Sequence, residues 1–236
     1  MLQIRKSTTR GKADHGWLNS MHTFSFANYY DPRYTSFGPL RVINEDRVAP
    51  GAGFPPHRHA NMEILSYVLE GGLSHQDSSG GGGVIKPGEL QWMSAGHGVE
   101  HSEFNASQDA PVHFLQVWIQ PDRVNAAPTY AQQAFDPADR HGRWATLASR
   151  DGVEGGLPIR QDARVLGTLV ALDEAVDYAL EPGRLYWLHV ASGEIEANGR
   201  PLLAGDALGF SDEAGRVQLS GRGAGRADVL LFDLPR

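Results

Sequence analysis

An all-β fold is predicted by three observations. The 28 glycines and 14 prolines are spread through all 236 residues, as expected where many short strands are joined by tight turns. Apolar runs have strand length and stop at turn residues; residues 112–120 form the clearest one, ended by Pro121. A turn rhythm also recurs, with Glu70-Gly71 followed by Pro87-Gly88 in the first half and Ser192-Gly193 followed by Ala204-Gly205-Asp206 in the second. A duplicated barrel that kept one functional site would produce that echo. The length suits one large β domain or two small ones, and 41% hydrophobic with 21% charged residues is ordinary for a globular chain.

Residues 14–37 are rich in aromatics (Trp17, Phe24, Phe26, Tyr29, Tyr30, Tyr34, Phe37), which reads as a strand and loop packed on a core, with no catalytic role. Residues 40–44 and 62–69 read as strands, the second closed by Glu70-Gly71-Gly72 and answered by residues 73–76 as a hairpin. Gly80 to Gly83 form a flexible turn that lacks the Gly-Lys-Ser/Thr ending of a phosphate loop. Lys86-Pro87-Gly88-Glu89 turns into a short strand at 90–94, and Ala95-Gly96-His97-Gly98 reverses the chain again. Between Asp122 and His141 periodicity is lost, and 131–141 is read as a linker between a domain at 1–130 and a second β unit at 142–236. Strands are expected there at 165–172, 185–190, 194–197 and 229–232.

Zero cysteines exclude disulfides, thiolate zinc sites, iron–sulfur clusters and cysteine nucleophiles. The first twelve residues carry Arg5, Lys6, Arg10 and Lys12 without an apolar signal core, and no run reaches membrane-spanning length, so no membrane partner and a cytoplasmic location are expected. With a net charge of −7 and scattered basic residues, direct nucleic-acid binding is not expected.

The chemistry points to 57–113, which holds six of the ten histidines. His57-Arg58-His59 and His101-Ser102-Glu103 are two pairs spaced i, i+2, and on a strand such residues share a face. Three imidazoles and one carboxylate would meet at one first-row divalent ion and leave positions free for water, substrate or dioxygen. A lone histidine on a strand is more often a hydrogen-bonded structural residue, and His22, His75, His97, His113, His141 and His189 are read so. Burying the four together without an ion would demand a partner for every polar group. Arg58 should point to the opposite face, as an ion-pair partner.

Gly53 to Glu63, with Gly71 closing the strand, resembles the first motif of the cupin superfamily, and Pro87-Gly88 through His101 to Asn105 resembles the second. More narrowly, His15-Gly16-Trp17-Leu18, His22-Thr23-Phe24-Ser25-Phe26, Tyr29-Tyr30-Asp31-Pro32, Met62-Glu63-Ile64, His75-Gln76-Asp77-Ser78, His101-Ser102-Glu103 and the ending Leu231-Phe232-Asp233-Leu234-Pro235 are similar to the pirin family, especially its bacterial members with quercetinase activity.

The resemblance implies a bicupin: two tandem antiparallel β-barrels of jelly-roll type with few short helices, a metal in the N-terminal barrel and none in the C-terminal one. It implies one divalent transition metal, Fe(II) first and Cu, Mn, Ni, Co or Zn next, held by His57, His59, His101 and Glu103. In germin-type cupins the carboxylate ligand falls at the position of Glu63, in pirins at that of Glu103. Glu63 shares the parity of His57 and His59, so parity alone does not separate them; Glu103 is preferred, with Glu63 as a supporting group behind the ligands. The implied activity is a dioxygenase that opens quercetin-like flavonols, or another small aromatic enol, with O2. Glu103, or Glu63 beside it, would serve as general base. An aromatic pocket is expected from among Phe54, Trp92, Met93, Phe104, Phe114 and Trp118. The alternative the family offers is a metal-binding redox sensor or transcription cofactor acting through a protein partner.

Overall fold

In the computed structural model, which describes residues 2–150, 152 and 155–236, strands carry nearly all regular structure. Helical elements include a 3-10 turn at Ser7–Thr9 and a single turn of α-helix at Pro137–Arg140, capped by Asp136 through the Ala138 amide at 2.8 Å. Among the described residues no helix is long and apolar enough to cross a membrane.

The chain divides into two compact units, one of Gly11–Ala134 with Ile159–Gln161, the other of Met1–Arg10, Phe135–Pro158 and Asp162–Arg236. The first unit has a seven-stranded sheet in the order Thr129–Ala134, Glu89–Ser94, Glu63–Glu70, Val112–Ile119, Leu40–Val48, Leu18–His22, Gly11–Asp14. Its second sheet has four strands, ordered Gly53–His59, Val99–Asn105, Leu73–Asp77, Gly82–Ile85. The nearly unbroken apolar run of Val112–Ile119 sits in the middle of the larger sheet, where both faces are covered.

The second unit repeats the plan. Ala207–Ser211, Leu185–Ser192, Ala227–Leu234 and Arg164–Val170 form the middle of its seven-stranded sheet, and Ala175–Leu180, Gly215–Gly221, Glu194–Ala197 and Arg200–Leu203 form its four-stranded one. The echoed turns occupy equivalent corners: Gly71 and Gly193 have φ of 77° and 80°, Gly88 and Gly205 have φ of 86° and 80°. Left-handed backbone of this kind favours glycine, so the same corner needs the same residue in both halves.

The two interiors differ. On Val99–Asn105 the inward residues are Val99, His101, Glu103 and Asn105; on the equivalent Gly215–Gly221 they are Val217, Leu219 and Gly221. The second unit fills its interior with Val176, Tyr186, Leu188, Val217, Leu219 and Leu231 in one continuous cluster. The first unit has separate apolar clusters, one around Leu18, Val48, Leu73 and Phe114 and another around Ile64, Met93 and Val99.

The expected domain limits need two corrections. Residues 2–5 pair with Ala207–Ser211, and Lys6 reaches Asp206 at 2.7 Å, so the first ten residues belong with the C-terminal unit rather than with 1–130. Nor is 131–141 a structureless linker: Thr129–Ala134 is an edge strand on Glu89–Ser94, and Pro137–Arg140 is helical.

Candidate metal centre and its cavity

The two i, i+2 pairs lie on paired antiparallel strands, with His101 directly opposite His57 and Val99 opposite His59. Beyond His101 the register slips, so that Glu103 faces Phe54. Pro55 and Pro56 fill the extra length; neither has an N–H to donate to a ladder, and a bulge is where a strand tolerates proline. The ring centroids of His57, His59 and His101 form a triangle with sides of 4.3, 4.8 and 4.8 Å.

Each imidazole is prepared to present a lone pair. The Nδ1–H of His57 donates to the Pro55 carbonyl at 2.8 Å, which leaves Nε2 as the acceptor. Burial and the His57 ring lower the pKa of His59 to about 4. Burial, then His57, His59 and His75, lower that of His101 to about 2, with Asp77 opposing. His101 is 2% exposed and its Nε2 has no hydrogen-bond partner among the described residues. A buried nitrogen left unsatisfied costs about 1–3 kcal/mol, which a bound cation would relieve.

Behind His101 stands a relay formed by His75, which the sequence reads only as a hydrogen-bonded structural residue, and Asp77. His75 donates from Nε2 to Asp77 at 3.1 Å, and its Nδ1 lies 3.5 Å from Nδ1 of His101. With His75 so fixed, His101 is the donor in the second contact, which again leaves Nε2 bare. Burial pushes the Asp77 carboxyl up, but hydrogen bonds from Ser79, His75 and Gly81 outweigh it and hold its pKa below the usual range. His75 is also stacked on Tyr130 at 4.9 Å.

Glu103, 2% exposed, accepts from Ser66 Oγ at 3.1 Å and Gln116 Nε2 at 2.7 Å. Two overlapping groups of ligand atoms converge within 4.8 Å, His57 with His59 and His101, and His75 with His101 and Glu103. Both lie in the first unit. Each carboxylate oxygen keeps a further lone pair after accepting these bonds, so the set fits a divalent ion with nitrogen and oxygen ligands.

Glu63 is elsewhere. The strand that carries His57 and His59 ends at His59; Asn61 turns with φ of 52°, and Glu63 opens a strand of the other sheet. Parity therefore does not carry across. Its carboxylate accepts from Trp92 Nε1 at 2.7 Å, Ser94 Oγ at 2.5 Å and the Arg160 amide at 3.0 Å. Arg58 points outward and pairs with Glu100 at 3.2 Å, a surface bridge worth at most about 1 kcal/mol.

A cavity of about 420 Å³ opens beside the histidines, of the size that takes a small aromatic ligand. Its walls include His57, His59, Glu103 and Gln116, with Trp17, Phe26, Phe54 and Trp118 supplying the flat apolar surface. Of the expected pocket residues, Phe54 and Trp118 line it. Trp92, Met93 and Phe114 are buried core, and Phe104 is exposed on the outer face.

Gly53 seats the strand that carries His57. A Cβ there would fall 2.3 Å from the Glu103 carbonyl oxygen and 2.5 Å from Phe104 Cα, both backbone atoms that cannot turn aside. Gly53→Ala should therefore force the strands apart at the bulge, lowering metal affinity about tenfold or more through misplaced ligands along with thermal stability. Isothermal titration with Ni(II) and a melting curve read both; unchanged values in both would contradict the packing described.

A family model for pirin matches residues 3–119, and one for the quercetinase C-terminal cupin domain matches residues 146–234. A quercetin 2,3-dioxygenase of Escherichia coli K12 is 42% identical over 235 residues, covering 100% of this chain and 99% of the relative. The chain belongs to the pirin family. A pirin-like protein of Caulobacter vibrioides is 45% identical over 205 residues, 86% of this chain and 88% of its own. Among solved structures, the bacterial pirin YhhW of Escherichia coli in complex with nickel(II) superposes with a TM-score of 0.92 at 41% identity, over 100% of this chain and 99% of that one.

This pirin is thus nearly all-β, with N- and C-terminal cupin domains. Each is a jelly-roll-like sandwich of a seven- and a four-stranded sheet rather than a closed barrel. Sequence reasoning missed Ser66, Gln116, His75 and Asp77 as supports, and it gave the 14–37 segment no place at the site although His15, Trp17, Ser20, His22 and Phe26 line the cavity. The i, i+2 spacing of His75 and Asp77 was a usable signal; Ser66 and Gln116 carry none.

Proposed function

We propose that this pirin is a metal-dependent dioxygenase of the quercetin 2,3-dioxygenase type, opening flavonols or related aromatic enols with O2. The observation that carries the reading is that two of three clustered imidazoles and the buried Glu103 form one wall of a cavity whose flat apolar surface comes from Trp17, Phe26, Phe54 and Trp118. The naming of full-length relatives as quercetin 2,3-dioxygenases supports it.

His57, His59, His101 and Glu103 would hold one divalent transition metal, Fe(II) by our reading, with Ni, Co, Mn, Cu and Zn as further ions the nitrogen and oxygen set accepts. When bound, such an ion supplies Lewis-acid stabilisation of the deprotonated enol. The chain's residues do the rest. Trp17, Phe26, Phe54 and Trp118 clamp a flat ring system and exclude water. Glu103, aimed by Ser66 and Gln116, takes the enol proton on a carboxylate oxygen. Glu63, held by Trp92, Ser94 and Arg160, has no part in this reading. The electron-rich enolate left behind is the species that reacts with O2.

Reconstitution with Fe, Ni, Co, Mn, Cu or Zn in turn, followed by oxygen uptake and loss of flavonol absorbance, tests the proposal. At least one ion should support matched consumption of quercetin and O2. Absence of turnover with every ion overturns it.

A further inference from the structure

The cavity wall away from the histidines carries polar atoms without protein partners. Asn44 and Asp46 sit two apart on Leu40–Val48, and both face the cavity. Asn44 is 3% exposed and Asp46 4%, yet Oδ1 of each lacks a hydrogen-bond partner among the described residues. On the neighbouring strand, Gln116 lies opposite Asn44 in the ladder, and the indole N–H of Trp118 is also buried and unpartnered. Trp118 packs edge-on against His59 at 4.9 Å, which ties this wall to the metal site.

Burial of unsatisfied acceptors is unfavourable by about 1–3 kcal/mol each, and native cores rarely keep several together without a use. Asp46 is the most demanding: burial, then the charges of Glu103 and Glu45, lift its pKa to about 7, and the hydrogen bond from Ser20 offsets this only in part. An added hydroxyl donor would satisfy it. An apolar ring system such as a bare hydrocarbon would leave every one of these atoms stranded.

We propose that Asn44 and Asp46 accept hydrogen bonds from a phenolic hydroxyl on the bound ring system, with Trp118 donating to an oxygen of the same ligand, so that the cavity selects polyhydroxylated aromatic enols over bare ones. This rests on the dioxygenase reading and names the substrate feature that the site recognises. The specificity comes from leaving buried polar groups unpaired with the wrong ligand, which discriminates more sharply than an apolar pocket does.

The test uses metal-loaded, full-length protein and two flavonols that share the enol but differ in ring hydroxyls, quercetin and 3-hydroxyflavone, with binding followed by quenching of tryptophan fluorescence. The unaltered protein should prefer quercetin by about tenfold or more, the effect of one to two hydrogen bonds. In Asp46→Leu and, separately, Asn44→Leu, each checked for metal content and melting temperature, the preference should fall to within about threefold. Full preference surviving in both variants, or no preference in the unaltered protein, overturns the inference. Loss of turnover alone would not: intact hydroxyl preference without ring opening sinks the dioxygenase reading and spares the wall. Turnover with unaltered preference in the variants does the reverse.

Discussion

His101→Ala is expected to strip the N-terminal domain of its ion and of flavonol turnover together. His101 offers a buried Nε2 without a partner among the described residues, at the corner shared by both ligand groups, so its loss takes a ligand from either grouping. Removing a group that merely orients a ligand lowers metal affinity about 10–100-fold, so deleting the ligand should exceed about 100-fold. The graded comparison is informative. His75→Ala and Gln116→Ala, which leave the ligand atoms in place but free them to wander, should fall in the smaller range, with stoichiometry still reaching one ion per chain at high metal. Metal content after gel filtration, with affinity by competition against a chelator, measures all three; a His101→Ala protein that retains its ion contradicts the assignment.

Asp46→Asn should raise the stability of the chelator-treated protein at alkaline pH by a large margin. The folded-state pKa of about 7 stands above the unfolded value near 3.8, so the folded protein binds the proton more tightly. Stability from this group is therefore fully present below the unfolded value and is lost as pH rises through about 7. The gap corresponds to roughly 4 kcal/mol by pH 8, offset in part because the asparagine amide needs partners of its own. In a chain of this size that is several degrees in melting temperature. Melting curves of both proteins should diverge between pH 5 and pH 8; a difference that does not change with pH contradicts the placement of a buried, unneutralised carboxylate there.

Much of this molecule was legible before its fold was known, for identifiable reasons. The Gly and Pro corners and the short apolar runs mark strands locally, and an i, i+2 pair projects to one face whatever its partner strand. His57, His59, His101 and Glu103 could thus be picked as candidates from spacing, with Glu63 left beside Glu103 by parity. Glu63 shows the limit: parity holds only within one strand, and the turn at Asn61 breaks it. The bulge at Pro55-Pro56, the pairing of residues 2–5 with Ala207–Ser211, and the packing of the 14–37 aromatics around the cavity are all long-range pairings. Local pattern sets which residues point inward, not which strand lies beside which. The unpartnered Asn44 and Asp46 were invisible for the same reason, since a polar residue in a strand reads as outward-facing until its surroundings are known.

By this assignment, side chains from two neighbouring strands share a single cation. Anomalous diffraction from crystals of the protein loaded with Ni(II) tests it most directly. The predicted result is one strong peak in the N-terminal domain, bonded by Nε2 of His57, the imidazoles of His59 and His101, and a carboxylate oxygen of Glu103. A peak held instead by His75, His101 and Glu103 without the first two histidines, or no peak in that domain at all, would contradict it.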